Sequence, residues 1–242
     1  MTNVRNDSAE SDAGEGSTVP PESKLILNTS HLLPGDVLLF RPLKPNIVQR
    51  SISAATGSPY THAAIYVGDG LIAESVVPDG VVESAIQDSI PGNRCVAVLR
   101  SQYVFSKNRA QELRKFVNEV LAREKRYNFA DLVKFKSQSG AYFNDQFDFI
   151  RTNYGKVTSK SELAERSFFC SAFIVGCYAV VGIIDDTAQV AYQPEFFSPG
   201  HLHQDPTFGW LLGYLVPEGG SVPANDPPLA TTLWSEQDWR WW

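Results

Sequence analysis

The sequence predicts one α+β domain built around an antiparallel sheet. Three observations support this: β-type runs fill residues 37–99, helical patterns follow over 107–126 and from about 169, and a last β-like stretch covers 210–216. Strands that come first, then helices and a closing strand, favour an antiparallel sheet over alternating βαβ units. With 242 residues and 43% hydrophobic content, the chain is long enough to bury a sizeable core.

The first hundred residues predict four strands and one short helix. The strands are the apolar or β-branched runs 37–40, 62–67, 71–76 and 95–99. The first follows the turn sequence Leu33-Pro34-Gly35-Asp36. The second and third are separated by Gly68-Asp69-Gly70, which predicts a hairpin with a three-residue loop. A mixed segment from Ile47 to Ala55 predicts the helix.

The second half of the chain is mainly helical. Residues 107–126 have apolar side chains at helical spacing and a net charge of +4. This charge indicates a solvated helix face, with a contact site for an anionic partner as the alternative. A further helix is expected over 127–135, whereas 136–166 stay unassigned. The 17-residue apolar run Phe168–Ile184 predicts a helix buried on all sides, with a membrane span as the alternative.

Both ends of the chain are expected to lie outside the domain, which then spans 25–216. Residues 1–24 are acidic and rich in Gly, Ser and Pro, which predicts a disordered leader. They lack the pattern of a secretory signal, so the default location is cytoplasmic unless another export route exists. The tail, 217–242, holds four of the five tryptophans and is expected to dock on the body or on a protein partner.

Charge and missing motifs exclude several classes of function. A net charge of −6 argues against a general nucleic-acid binder. Three cysteines without a C-x-x-C pair form neither a disulfide scaffold nor a zinc ribbon. The G-x-G-x-x-A match at Gly68–Ala73 continues as a strand, whereas a dinucleotide site needs a helix there. For His201–Asp205 we predict a polar turn, with a mononuclear metal site as the alternative. We expect no cofactor.

Cys170 and His62 are the remaining candidates for chemistry. Cys170 opens the apolar helix, where the helix dipole stabilises a thiolate. The predicted hairpin pairs Ala64 with Glu74, so that His62 and Glu74 share a face as diagonal neighbours. A carboxylate there holds one imidazole nitrogen while the other faces a nucleophile. On spacing alone, a structural cysteine and an unrelated histidine are the alternative. Cys95 and Cys177 are predicted to be packing residues.

Several segments together resemble the permuted NlpC-type papain-like cysteine hydrolases of the YiiX/YaeF kind. They are LPGDVL at 33–38, THAAIYVGDG at 61–70 with Glu74-Ser75, and FFCSAFIV at 168–175. Tyr127-Asn128 and Pro199-Gly200-His201-Leu202 are similar to further family elements, although His201 replaces the usual acidic residue. The histidine precedes the cysteine, an order shared with the lecithin:retinol acyltransferase-like proteins. The resemblance covers roughly residues 30–216, with gaps across 136–166.

The resemblance implies a circularly permuted papain-like fold, with a small antiparallel sheet packed against the nucleophile helix. It implies Cys170 as nucleophile, His62 as general base and then acid, and Glu74 as the group that orients the histidine. The N–H of Cys170 supplies part of an oxyanion hole. Tyr60 lines the substrate pocket or donates a second hydrogen bond, with a loop aromatic that packs on the hairpin as the alternative. We expect hydrolysis of an amide in a peptide, isopeptide or lipid-like substrate. The alternatives are an acyltransferase or lipid ester hydrolase with the same residues, and a catalytically silent interaction module.

Overall fold

A computed structural model of the chain describes residues 25–103, 105–123 and 142–234. The strands are β1 Val37–Pro42, β2 His62–Gly68, β3 Leu71–Val76, β4 Gly80–Ala85, β5 Asn93–Arg100 and β6 Trp210–Leu215. The helices are α1 Ile47–Thr56, α2 Ile86–Ser89, α3 Lys107–Ala122, α4 Gln146–Asn153, α5 Lys160–Glu165, α6 Cys170–Val180 and α7 Pro199–Leu202. The strands form one open antiparallel sheet in the order β4-β3-β2-β1-β5-β6. The predicted α+β class with an antiparallel sheet is confirmed.

The predicted strands and the main helices are found, and the structure adds elements that sequence patterns missed. Strand β4 was not predicted, because polar Glu83 and Ser84 interrupt its short apolar pattern. Residues 142–166 contain the short helices α4 and α5. The predicted leader (1–24), the predicted helix at 127–135 and the last eight residues of the tail lie outside the described residues.

The hairpin between β2 and β3 has the predicted register but a tighter turn. Ala64 pairs with Glu74, as expected. The loop has two residues instead of the predicted three, because Gly68 pairs with Leu71 and a bulge between Tyr66 and Gly68 takes up the extra residue. Asp69 and Gly70 both have positive φ, 54° and 76°. Two-residue hairpin turns of this kind match the right-handed twist of the strands.

Apolar side chains cover both faces of the sheet. Leu39 and Ile65 face the larger cluster, where Phe116 of α3 and Phe173 of α6 pack on the strands. Alternate strand residues point to the opposite face and meet apolar residues of α2 and of the segment before β1. Of the eleven residues of α6, ten are buried, which is typical of a helix that is apolar all round. In the described parts of the chain, no helix is long and apolar enough to cross a membrane.

The turn before β1 is held by a buried carboxylate. Asp36 accepts a hydrogen bond from the Leu33 N–H at 2.8 Å and a bidentate pair from Arg100 of β5 at 2.8 and 2.7 Å. Burial raises the pKa of Asp36, although the Arg100 hydrogen bonds and charge oppose that rise. The hydroxyl of Tyr178 in α6 donates to the Gly35 carbonyl at 3.1 Å. The Pro-Gly-Asp turn therefore joins the central strands to α6.

The described part of the tail packs on the body through a second buried carboxylate. Asp226, only 1% exposed, pairs with Arg41 of β1 and accepts hydrogen bonds from the Tyr60 hydroxyl at 2.5 Å and the Tyr214 hydroxyl at 2.9 Å. Farther along, Trp234 lies 5.2 Å from the guanidinium of Arg100. The described part of the tail therefore packs on the body as far as residue 234.

We expect Asp226→Ala to destabilise the fold by about 3 kcal/mol, because it leaves the Arg41 charge and two tyrosine hydroxyls without their shared acceptor. Urea unfolding followed by circular dichroism measures the change. Glu218→Ala, also in the tail but exposed, is the control and is expected to change stability by less than about 0.5 kcal/mol. Equal stability of the two variants would show that Asp226 does not anchor the tail.

Candidate active site

The start of α6 lies where β2 and β3 separate. The β2–β3 ladder ends at the Ala64–Glu74 pair, and α6 packs on both strands. Just beyond that pair, the buried Ser75 hydroxyl of β3 donates to the Phe168 carbonyl at 2.8 Å. Ser171, in the first turn of α6, donates to the Phe197 carbonyl at 2.7 Å. These two buried hydrogen bonds hold both sides of Cys170 in place.

Cys170 is the first residue of α6 and is 4% exposed. The residue before the helix, Phe169, makes no side-chain cap, and the N–H groups of the first turn have no partner within the helix itself. The backbone N–H groups of Ser171 and of Ala63 in β2 lower the pKa of the Cys170 thiol. These donors and the positive end of the helix dipole favour a thiolate at this position.

His62 and Glu74 form the expected contact on the adjoining strands. The His62 Nε2 atom lies 2.6 Å from Oε2 of Glu74, and the His62 side chain is 24% exposed. The imidazole also lies close enough to Cys170 for each group to shift the pKa of the other. Because Nε2 is held by the carboxylate, Nδ1 is the nitrogen left for the thiol. The structure thus brings Cys170, His62 and Glu74 together at one place, with His62 between the thiol and the carboxylate.

The charges of these three groups support one another. Burial raises the pKa of the Cys170 thiol, but the hydrogen bond and charge of His62 outweigh it, and the pKa is lowered. Burial likewise works against a charged His62, yet Cys170 and Glu74 together raise its pKa to about 10. The pKa of Glu74 is lowered despite burial, through its hydrogen bond to His62 and the charge of that imidazole. At neutral pH the arrangement therefore favours a thiolate–imidazolium pair beside a carboxylate.

Ser84 is a site residue that the sequence did not reveal. Its hydroxyl donates to Oε1 of Glu74 at 2.6 Å, so the carboxylate is held by His62 on one oxygen and by Ser84 on the other. Ser84 belongs to β4, the strand that was not predicted. A strand signal at 80–85 would have placed it beside Glu74, since β3 and β4 pair with Glu74 opposite Val82.

Tyr60 does not occupy the expected pocket position. Its side chain is completely buried, and its hydroxyl donates to Asp226 at 2.5 Å. This hydrogen bond and burial place it in the packing of the tail, and we assign it a supporting role rather than contact with substrate. Burial and the charge of Asp226 raise the pKa of Tyr60, so the phenol stays protonated.

The other cysteines and the two late histidines lie apart from this arrangement. Cys95 in β5 and Cys177 in α6 are fully buried in the larger apolar cluster, as predicted. His201 lies in α7, with its ring 4.6 Å from that of Phe143. His203 follows α7 and is 6% exposed. Among the described residues, no group of three or more His, Cys, Asp or Glu side chains is arranged to hold a metal ion.

Comparisons with known proteins add no family assignment. No protein-family model matches the sequence, and a search of curated proteins finds no match. The geometry around Cys170, His62 and Glu74 is therefore the basis for inferring what the protein does.

We expect iodoacetamide to alkylate Cys170 at pH 6, where a thiol of ordinary pKa is almost unreactive, because the lowered pKa leaves this sulfur as a thiolate. Cys177 and Cys95 are internal controls, since burial raises the pKa of both thiols, that of Cys95 to about 12. Mass spectrometry of the peptides measures each site. Labelling of Cys170 only above about pH 8 would contradict an activated thiolate.

Replacing Glu74 is expected to move the pH dependence of that alkylation. Glu74→Gln removes the carboxylate charge, and its removal lowers the pKa of His62. A smaller fraction of His62 is then protonated, so the pKa of Cys170 rises. The alkylation midpoint should shift to higher pH, and Ser84→Ala should shift it less in the same direction. Glu83→Gln is the matched control, because it removes a carboxylate of β4 that pairs with Arg114 of α3. Coinciding curves for Glu74→Gln and the unaltered protein would exclude the orienting role of Glu74.

Proposed function

We propose that the protein is a cysteine-dependent hydrolase that cleaves an amide bond through an acyl-enzyme. One observation carries the proposal: a cysteine at a buried helix start lies beside an imidazole that lowers its pKa, and the Nε2 atom of that imidazole lies 2.6 Å from a carboxylate oxygen. Thiol acyl transfer requires a nucleophile beside a base that a third group orients. Cys170, His62 and Glu74 match these three roles. Buried cysteines that only fill space have raised pKa values, as Cys177 does in the same helix.

The first half of the reaction uses the ion pair directly. The Cys170 thiolate attacks the substrate carbonyl carbon, and the carbonyl π electrons move onto oxygen. As the tetrahedral intermediate collapses, the C–N bond breaks and the imidazolium of His62 gives its proton to the leaving nitrogen. Glu74 keeps the ring oriented through both steps and stabilises its positive charge. The products are a free amine and a thioester on Cys170.

The second half returns the enzyme to its starting state. Neutral His62 takes a proton from water, whose oxygen attacks the thioester carbonyl. The C–S bond then breaks to release a carboxylic acid and regenerate the thiolate and the imidazolium. The N–H of Cys170 belongs to the first residue of α6 and has no partner within the helix. We expect it to donate to the oxyanion in both halves of the reaction.

The order of these elements along the chain supports a circularly permuted papain-like fold. The histidine strand β2 precedes the cysteine helix α6 by about a hundred residues, and α6 packs against β2 and β3 of the antiparallel sheet. This topology agrees with the resemblance to the permuted NlpC-type hydrolases in the order of the two groups. We propose peptides, isopeptides or lipid-like amides as substrates, as that resemblance implies.

Cys170→Ala is expected to lower hydrolysis of a library of fluorogenic aminoacyl and fatty-acyl amides by at least about three powers of ten, since the nucleophile is lost. Cys177→Ala, in the same helix but remote from the imidazole, is the matched control and should keep most of the activity. Undiminished hydrolysis by Cys170→Ala would refute the proposal.

Adding an alcohol or a primary amine to the same assay separates hydrolysis from transfer. A hydrolase yields the free acid in the presence of the acceptor, whereas an acyltransferase yields mainly the new ester or amide. Labelling of Cys170 without turnover of any substrate would favour an interaction module that keeps a reactive thiol.

A further inference from the structure

Helix α1 turns apolar side chains toward solvent. None of its residues is buried; Ile47 is 77% exposed and Val48 is 48% exposed. Leu43, in the turn that leads into the helix, is 49% exposed. A surface helix of a globular protein normally points its apolar stripe toward the core. These three aliphatic side chains instead form an exposed patch, here called the α1 patch.

The periodicity of α1 shows that this exposure belongs to one side of the helix. Ile47, Ser51 and Ala54 recur at i, i+4 and i+7, and all three are exposed. Gln49, Ile52 and Ser53 lie on the side that is partly buried. The outer side is thus small and aliphatic, and polar residues contribute to the side that faces the body.

In the stretch of sequence that contains the α1 patch, all charged residues are positive. Between Asp36 and Asp69 the sequence contains no Asp or Glu, although the whole chain has a net charge of −6. Lys44 and Arg50 are exposed beside the apolar residues. In the part of the chain that the structure describes, neither forms an ion pair. Two cations next to exposed aliphatic side chains complement a negatively charged surface with an apolar interior.

We propose that the α1 patch, with Lys44 and Arg50, docks the protein on an anionic lipid bilayer. Aliphatic side chains on a convex helix insert at the boundary between headgroups and acyl chains, and neighbouring cations attract anionic lipids. A protein partner is less well matched, because the centres of protein interfaces are typically aromatic or arginine side chains in pockets. The inference goes beyond the proposed hydrolase function and does not depend on the chemistry of Cys170.

Docking through α1 would orient the candidate active site toward the bilayer. The helix ends at Thr56, six residues before His62. The connecting loop is fixed, since the Ser53 hydroxyl donates to the Ser58 carbonyl at 2.7 Å and Ser58 is buried. A docked α1 therefore holds the His62 end of β2 close to the lipid surface.

Vesicle flotation of the full chain tests the proposal. We expect binding to phosphatidylcholine vesicles that contain about 30% phosphatidylserine, and much weaker binding to pure phosphatidylcholine. Lys44→Glu/Arg50→Glu should weaken binding by at least about thirtyfold, since each cation near the surface contributes about fivefold. Ile47→Ser/Val48→Ser should weaken it by about tenfold or more. Neither pair is buried, so the fold should persist, which circular dichroism checks.

Matched controls lie at the opposite end of the sheet. Tyr103→Ser removes an apolar side chain that is 56% exposed beyond the far end of β5, and Lys107→Glu/Lys115→Glu reverses two exposed cations on α3. Binding that survives both controls but is lost in both α1 variants supports the proposal. No binding to anionic vesicles, equal loss in the controls, or a dimer in solution that Ile47→Ser/Val48→Ser dissociates would overturn it. Iodoacetamide labelling of Cys170, unchanged in the α1 variants, tests the hydrolase proposal separately.

Discussion

The separation of β2 from β3 beyond Ala64 and Glu74 is the constraint on which the candidate site depends. Beyond this pair, β2 and β3 no longer form the ladder. There the Ser75 hydroxyl donates to the Phe168 carbonyl, and the backbone N–H of Ala63 lowers the pKa of Cys170. The start of α6 is thereby seated in the opening between the strands. Both the position of the thiol and its polar surroundings follow from that insertion.

At this site, burial favours the neutral form of each group, whereas the charges of its neighbours favour the ionised form. The neighbouring charges outweigh burial. A buried thiol or imidazole alone would be neutral, as the raised pKa of Cys177 illustrates. Cys170, His62 and Glu74 each supply the charge that keeps a neighbour ionised, and Ser84 satisfies the second oxygen of the carboxylate. Such a network is strong when complete and costly when one member is missing. The proposed chemistry therefore depends on all of its members.

The central strand β1 is fastened at both ends by a carboxylate and a guanidinium. At its beginning, Asp36 pairs with Arg100, and at its end, Arg41 pairs with Asp226. The tail contributes to both ends, because it provides Asp226 and also Trp234, which lies over Arg100. The described tail is thus part of the scaffold that supports the strand beside His62. The exposed aliphatic side chains of α1 follow directly after this fastened strand.

Local patterns in the sequence were sufficient to predict the strands and helices in which apolar residues recur at a regular spacing. These elements bury either one side or their whole surface. The patterns predicted β1, the β2–β3 hairpin with its register, α3, and a buried helix opening at Cys170, and hence the shared face of His62 and Glu74. These patterns did not predict the short polar strand β4 or the role of Ser84 within it. The alternation of apolar and polar residues in β4 is weak, and the strand forms because it pairs with β3. The buried partner of Tyr60 could not be predicted from the sequence for a related reason, since Asp226 lies 166 residues away. Contacts between distant segments depend on how the elements pack, and only the tertiary structure determines that.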